Sequence, residues 1–280
     1  MPLWIAAILG IVEGLTEFLP VSSTGHLILV GHALGVEGDA SKAFEVVIQS
    51  GAMVAVIVHY RRLLGERLLG LVRREPAALK LAGALLAAFV PTAIAGLLLR
   101  KVIKAYLFKP IPVVAALVVG GVAMIVIERA LSKKPLADGA EGSKLEDVGV
   151  RRGLMVGLAQ CLSLWPGTSR AMCTIVGGRL TGLSTRVAAE FSFLLAIPVL
   201  GAATVLDLAK SGNELIATRE AQLGLLVGFV VSFLVAWAVI ALFLRFLRTR
   251  GLEPFGWYRI AIGLVVLISI RWLGLHFGAP

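Results

Sequence analysis

Apolar residues run on along most of this chain without the regular polar interruptions of an amphipathic surface helix. Six runs reach spanning length, roughly 43–60, 77–99, 111–131, 186–208, 221–247 and 255–277. About 20 predominantly apolar helical residues cross a hydrocarbon core of about 30 Å. Two further apolar regions are broken in the middle, 3–35 around Pro20 and 153–182 around Pro166-Gly167. Their halves hold about 10–16 residues each, and ten helical residues rise about 15 Å, half of the core. Two half-length helices that meet at a polar turn predict a re-entrant hairpin, because lipid offers no partner for exposed backbone. The pattern predicts an all-α polytopic membrane protein with six spanning helices and two re-entrant helix hairpins.

The two broken regions answer to each other. The first reads GIVEGLTEFLPVSSTGHLILVGHALG and the second GLAQCLSLWPGTSRAMCTIVGGRLTG. Gly10 answers to Gly157, Glu13 to Gln160 and Pro20 to Pro166. With one gap, Leu29-Val30-Gly31 then answers to Ile175-Val176-Gly177, Leu34 to Leu180 and Phe44 to Phe191. This predicts an internal repeat within one integral membrane domain over 1–280: a first half 1–131, a linker 132–150 and a second half 151–280. The linker, SKKPLADGAEGSKLEDVGV, is the only soluble-looking stretch. Interrupted helices at matching places in two halves point to a midplane site, and such repeats often have inverted topology.

Composition agrees with a membrane class. Of 280 residues, 58% are hydrophobic and 16% charged, against about 25% charged in soluble domains. Mean hydropathy is +0.92. The net charge of +10 sits between apolar runs, so it reads as membrane topology rather than nucleic-acid binding. With each broken region entering and leaving on one face, residues 61–80, 129–152 and 245–259 share a side and hold 16 Lys or Arg, against 7 in 36–42, 100–109 and 209–220. The richer side is expected in the cytoplasm, with both termini outside, the first hairpin opening outward and the second inward. The N-terminus has no basic region or cleavage site before the acids, so no cleaved signal is expected. Cys161 and Cys173 are expected to be small packing residues. Trp165, Trp257 and Trp272 are expected at packing or interfacial positions, as are His32 and His59.

The chemistry concentrates at the two breaks. Glu13 and Glu17 share a helix face, and two carboxylates in an apolar run repel unless a cation or proton stands between them. Each charge costs about 2.5–3.5 kcal/mol on insertion scales. A divalent cation such as Mg²⁺, shared with a substrate phosphate, accounts for the pair. Past Pro20 come Ser22, Ser23, Thr24, Gly25 and His26, at the start of a half-helix whose free N–H groups suit an anion. Ser23 and His26 can share a face, with His26 as a base for Ser23 or as a nucleophile or acid itself. The second break brings Gly167, Thr168, Ser169 and Arg170, another helix N-terminus with a guanidinium suited to phosphate oxygens. A salt bridge from Arg170 to Glu13 or Glu17 is the structural alternative. Glu45 and Gln49 follow at helical spacing, as a supporting layer or the lining of a path, and Glu190 is the neighbour of this region in the repeat. Two carboxylates, hydroxyls, a histidine, an arginine and two helix N-termini suit a phosphate ester or anhydride.

EGLTEFLPVSSTGH and WPGTSRAMCT resemble the two signature regions of the bacterial undecaprenyl-diphosphate phosphatases of the bacitracin-resistance type. FEVVIQ at 44–49 and EFSFLLAIP at 190–198 extend the resemblance over nearly the whole chain. The resemblance implies hydrolysis of undecaprenyl diphosphate to undecaprenyl phosphate and inorganic phosphate, which recycles the lipid carrier of peptidoglycan synthesis. It implies a divalent cation, Mg²⁺ or Ca²⁺, and a fold like the one read above. The family's acidic motif falls on Glu13 and Glu17, its hydroxyl on Ser23 and its histidine on His26. Its arginine motif falls on Pro166, Gly167, Ser169, Arg170 and Thr174, while Ala171 stands where the pattern has serine. The joint expectation is that Glu13 and Glu17 hold the metal or tune the base. Arg170 and the N–H groups of the tips, with Ser22, Thr24, Gly25, Gly167, Thr168, Ser169 and Thr174, bind the diphosphate, and Ser23 or His26 attacks. The expected setting is the bacterial plasma (inner) membrane, with the site open to the outer face, a polyprenyl diphosphate and membrane lipids as partners, no nucleic acid, and room for a homodimer. The rival reading is a transporter or flippase of a polyprenyl phosphate lipid, which would use Arg170 and the helix N-termini but not Ser23 with His26.

Overall fold

The computed structural model describes residues 1–36, 39–107, 109–132, 144–215 and 218–273, and among them every regular element is helical. The helices are α1 (Leu3–Thr16), α2 (Ser23–Ala33), α3 (Asp39–His59), α4 (Arg61–Val72), α5 (Pro76–Tyr106), α6 (Pro110–Ser132), α7 (Val150–Gln160), α8 (Arg170–Leu180), α9 (Thr185–Leu215), α10 (Arg219–Arg250) and α11 (Glu253–Leu273). Most of the linker, 133–143, and the side chain of Trp272 lie outside the described residues.

Among the described residues five stretches are long and apolar enough to cross a membrane: Pro76–Ile103, Ile111–Leu131, Thr185–Ala209, Arg219–Leu247 and Glu253–Arg271. The chain is therefore a multi-pass membrane protein by length and composition. The sixth expected segment is α3, whose described apolar part, Phe44–His59, is shorter than those five. α5 and α9 run on to Tyr106 and Leu215, through residues expected in loops. Connection 61–80 is largely helical too, as α4. Its Leu63 and Leu64 pack on the core while Arg67 pairs with Glu146, an amphipathic pattern that a count of basic residues overlooks.

α2, α7 and α8 each have 11 residues, about 16 Å of rise and half a hydrocarbon core. All of Ala171–Gly178 in α8 is buried, so this short helix is jacketed by protein. The long helices instead leave apolar side chains exposed, such as Leu86, Leu97 and Leu98 of α5 and Leu234 and Leu242 of α10, as a lipid-facing surface does. The core gathers around α8 and α9, with Phe18 edge-on to Phe193 at 5.3 Å and Phe243 edge-on to Phe255 at 5.4 Å. Such edge-to-face pairs favour the ring quadrupoles.

Helix pairing crosses between the halves. α1 lies along α10, α7 along α5, α6 along α11 and α3 against α9. Small residues allow the close approach: a Cβ at Gly10 would stand 2.6 Å from the Gly228 carbonyl oxygen, and one at Gly157 would collide with that of Ala88. Backbone contact of this kind is how helices associate where lipid is as apolar as leucine.

The local backbone of the first break returns in the second, in a register that corrects the sequence alignment. Ser22 and Ser169 both take positive φ, 75° and 76°. Each caps its helix, accepting from Gly25 N and Met172 N respectively. Gly35 and Gly182 both end the paired helices at positive φ, and Val36 N and Leu183 N reach back to the Gly31 and Gly178 carbonyls. One constant offset joins all these pairs, with no gap. Pro20 therefore faces Gly167 rather than Pro166, Gly31 faces Gly178 rather than Gly177, and Leu34 faces Thr181 rather than Leu180. Gly10 with Gly157, Glu13 with Gln160 and Phe44 with Phe191 stand as read. Two similar prolines near the breaks drew the gap, whereas the capping serines carry the true register.

Candidate active site

α1 ends at Thr16, and the chain turns through Glu17–Val21 before Ser22 opens α2. The Leu19–Pro20 turn breaks the helix because proline has no N–H and disfavours helical backbone before it. Glu13 and Glu17 are consequently both buried, at 1% and 6% exposure. In the second half Trp165–Thr168 form the turn and Ser169 opens α8 with Arg170 as its first residue.

Glu17 is the junction. Its Oε2 accepts from Ser23 Oγ at 2.6 Å, and its Oε1 accepts from Arg170 Nη2 at 3.1 Å. One carboxylate thus joins the hydroxyl of the first break to the guanidinium of the second. The salt bridge foreseen as the structural alternative exists, with side chains only 10% and 5% exposed. Arg170 is further held by Nη1 donating to the Ser192 carbonyl at 3.1 Å and by the Phe18 ring beneath it at 5.7 Å. Its Nε is buried without an acceptor, so the guanidinium keeps a donor in reserve.

Glu13 is the anomaly. Both of its carboxylate oxygens are buried and neither has a hydrogen-bond partner. Glu17 and Glu45 stand near it as like charges, with Arg170 as the opposing one. A buried carboxylate without a donor is costly unless paired, and this donor set fits a hard divalent cation. Among the described residues no group of three or more His, Cys, Asp or Glu side chains forms a metal cluster. Glu13 and Glu17 are the residues that would hold such a cation. Glu190 of the second half pairs with Arg186.

His26 is turned away from Ser23. Its Nδ1 lies 2.7 Å from the Ser22 carbonyl and its Nε2 lies 2.7 Å from the Tyr258 hydroxyl. A carbonyl can only accept, so Nδ1 carries the hydrogen and Nε2 of the neutral ring accepts from Tyr258. Ser23 and His26 are three apart as read, but the Ser23 hydroxyl donates to Glu17 while both ring nitrogens of His26 have other partners. Ser22 and Ser169 spend their acceptors as caps, as ordinary N-cap serines do. Thr174 meets Ser192 Oγ at 2.6 Å and the Arg170 carbonyl at 2.8 Å, so it steadies the base of Arg170. Gly25 and Thr168 are buried and Thr24 half-buried at the helix starts, where the first N–H groups have no helical acceptor. Gly167 takes φ 93° beneath the Val113 carbonyl.

Three contributors went unforeseen: Ser192, Tyr258 and Arg259. Arg259 is fully buried and donates to the carbonyls of Pro20 at 3.2 Å, Gly167 at 2.9 Å and Ala116 at 3.0 Å. It had been counted among the cytoplasmic charges; burial beneath both breaks removes it from that count. A lone arginine inside WYRIAIGL is the same signal that singled out Arg170.

A family model described as bacitracin resistance protein BacA matches residues 6–265. Among curated relatives, the undecaprenyl-diphosphatase of Sorangium cellulosum is 57% identical over 262 residues, covering 94% of this chain and 84% of the relative. The undecaprenyl-diphosphatase of Cupriavidus necator is 46% identical over 279 residues, covering 94% of each chain. That of Thermoanaerobacter pseudethanolicus is 45% identical over 267 residues, covering 95% of this chain and 96% of the relative.

Proposed function

Since the chain belongs to the bacitracin resistance protein BacA family, we propose that it hydrolyses undecaprenyl diphosphate to undecaprenyl phosphate and inorganic phosphate. This reaction recycles the lipid carrier of peptidoglycan synthesis and opposes bacitracin. The observation that carries the reading is Glu17, whose two oxygens hold Ser23 of one break and Arg170 of the other.

The Ser23 hydroxyl attacks the terminal phosphorus while Glu17 Oε2 takes its proton. An Oγ–P bond forms, the anhydride P–O bond breaks, and its electron pair leaves with undecaprenyl phosphate, a good leaving group that needs no acid. Water then attacks the phosphoserine, the proton returns to Oγ, and inorganic phosphate departs. Arg170 and the N–H groups opening α2 and α8 hold the phosphoryl oxygens and stabilise charge that grows on them. Both ring nitrogens of His26 are engaged, which favours Ser23 over His26 as nucleophile. Glu13 and Glu17 would hold the divalent cation, Mg²⁺ or Ca²⁺; when bound, it neutralises charge on the diphosphate. The exposed leucines and valines of the long helices offer the polyprenyl tail a surface like the lipid around it.

The same reading includes six spans, two re-entrant hairpins and an inverted repeat of 1–131 and 151–280 joined through the linker. Its supports are the half-length helices, the matching capped breaks and the pairing of α1 with α10 and α7 with α5. It places the protein in the plasma (inner) membrane, with the site open outward and a homodimer as the assembly to check by light scattering.

Phosphate release from undecaprenyl or farnesyl diphosphate by detergent-purified protein tests the function. Wild type should release phosphate with Mg²⁺ and not with EDTA, and Ser23→Ala and Arg170→Ala should abolish release. No release from folded wild type would sink the enzyme reading and turn the same broken helices into a case for a lipid transporter.

A further inference from the structure

The two breaks approach each other across the middle of the molecule, and one side chain touches both. Arg259 rises from α11 with no exposed surface. Nη1 donates to the Pro20 carbonyl, and Nη2 is shared between the carbonyls of Gly167 and Ala116. In the gapless register Pro20 and Gly167 are equivalent positions of the repeat. A single guanidinium therefore grips the same carbonyl of each half, and α6 supplies the third acceptor. Gly120 on α6 leaves the room, since a Cβ there would collide with Nη2.

This arrangement is expensive for a merely structural contact. Among the described residues no carboxylate lies in salt-bridge range of Arg259, and its Nε is buried without an acceptor. A buried cation held only by carbonyls carries its desolvation cost largely uncompensated. A leucine would fill the space between helices without that cost. What only a forked guanidinium supplies is a fixed geometry among three separate backbones.

The consequence falls on the site. Pro20 lies two residues before Ser22 and three before Ser23; Gly167 lies three before Arg170. The Ser23–Glu17–Arg170 chain spans the two breaks, so its distances hold only if the breaks hold. We propose that Arg259 is a positioning residue: it pins the two breaks at one separation and so presets Ser23 and Glu17 of one against Arg170 of the other. The proposal rests on the phosphatase reading for its kinetic arm and on the fold alone for its structural arm.

The test uses Arg259→Met, which keeps volume and removes the donors, and Arg259→Lys, which keeps the charge but not the fork. For folded Arg259→Met, kcat should fall by about tenfold or more, as misplacement at a reacting centre does. KM should stay within about threefold, because tail binding is untouched. Arg259→Lys should fall between the two. In parallel, spin labels on cysteines at the exposed positions Leu15 and Leu162, in a background without Cys161 and Cys173, read the separation of the breaks. The wild-type distance distribution should be narrow and that of Arg259→Met broad or shifted. Wild-type kcat per folded molecule with an unchanged distribution would overturn the pin. So would a loss confined to folded yield. If Arg259→Met fails to fold, Arg259→Lys decides: full kcat and an unchanged distribution would reject the proposal. A wild type without phosphatase activity would count against the function, while the label distances would still judge the pin.

Discussion

At residue scale Glu17 joins the chemistry of the two breaks: one carboxylate oxygen accepts from the Ser23 hydroxyl and the other from the Arg170 guanidinium. Glu17→Gln keeps the shape but cannot take a proton. Its kcat should drop by about 10²–10⁴-fold, the range of a lost general base, with the folded protein intact by circular dichroism. A kcat within about threefold of wild type would remove Glu17 from the base role. Tyr258→Phe removes one hydrogen bond to His26, worth about 1 kcal/mol, and should lower kcat about fivefold while leaving serine phosphorylation detectable. Arg170→Ala should also destabilise the fold by about 3–5 kcal/mol, because it strands a buried carboxylate; urea unfolding in mixed micelles would measure it. The residue scale was partly legible. Acids and an arginine in apolar runs are costly enough to announce themselves, so Glu13, Glu17 and Arg170 could be named. The partner of Ser23 could not, because it depends on the φ of 75° at Ser22, which no spacing rule encodes.

The elements divide by what surrounds them. α8 is buried from Ala171 to Gly178, and its start is capped by Ser169 through Met172 N. Ser169→Ala should cost about 1 kcal/mol of stability, as lost N-caps do, and shift Arg170 at the first position of the helix. Gly157→Leu should be worse, because its side chain would enter the backbone of α5 at Ala88; overpacking costs typically about 1–3 kcal/mol. Folded yield in detergent, compared with Gly65→Leu where open space surrounds the position, would separate close packing from a general effect of leucine. Long apolar helices and half-length ones were readable from run length and proline position. α4 was not, since three arginines obscured its leucine face, and the ends of α5 and α9 ran past their apolar runs because helical hydrogen bonding continues wherever no breaker stops it.

Orientation in the membrane and dependence on a metal are properties of the whole molecule. Impermeant maleimide applied to intact cells should label Arg219→Cys and spare Glu66→Cys, both exposed positions, in a background without Cys161 and Cys173. Labelling of Glu66→Cys alone would reverse the orientation. Chelation should stop turnover, and added Mg²⁺ should restore it; turnover that persists in EDTA would assign the Glu13 pocket to a proton instead of a cation.

The sequence by itself determined the class, the helical content, the two breaks and the residue types of the site. These follow from local physics: apolar run length against bilayer thickness, proline at a break, and the cost of a charge in lipid. Only the tertiary structure decided which groups meet. It paired the Ser23 hydroxyl with Glu17 rather than His26, set the register of the repeat, and moved Arg259 from a presumed cytoplasmic end to the point where both breaks are held. Those outcomes depend on how helices distant in the chain cross, and a crossing is set by the mutual packing of both partners, not by either stretch alone.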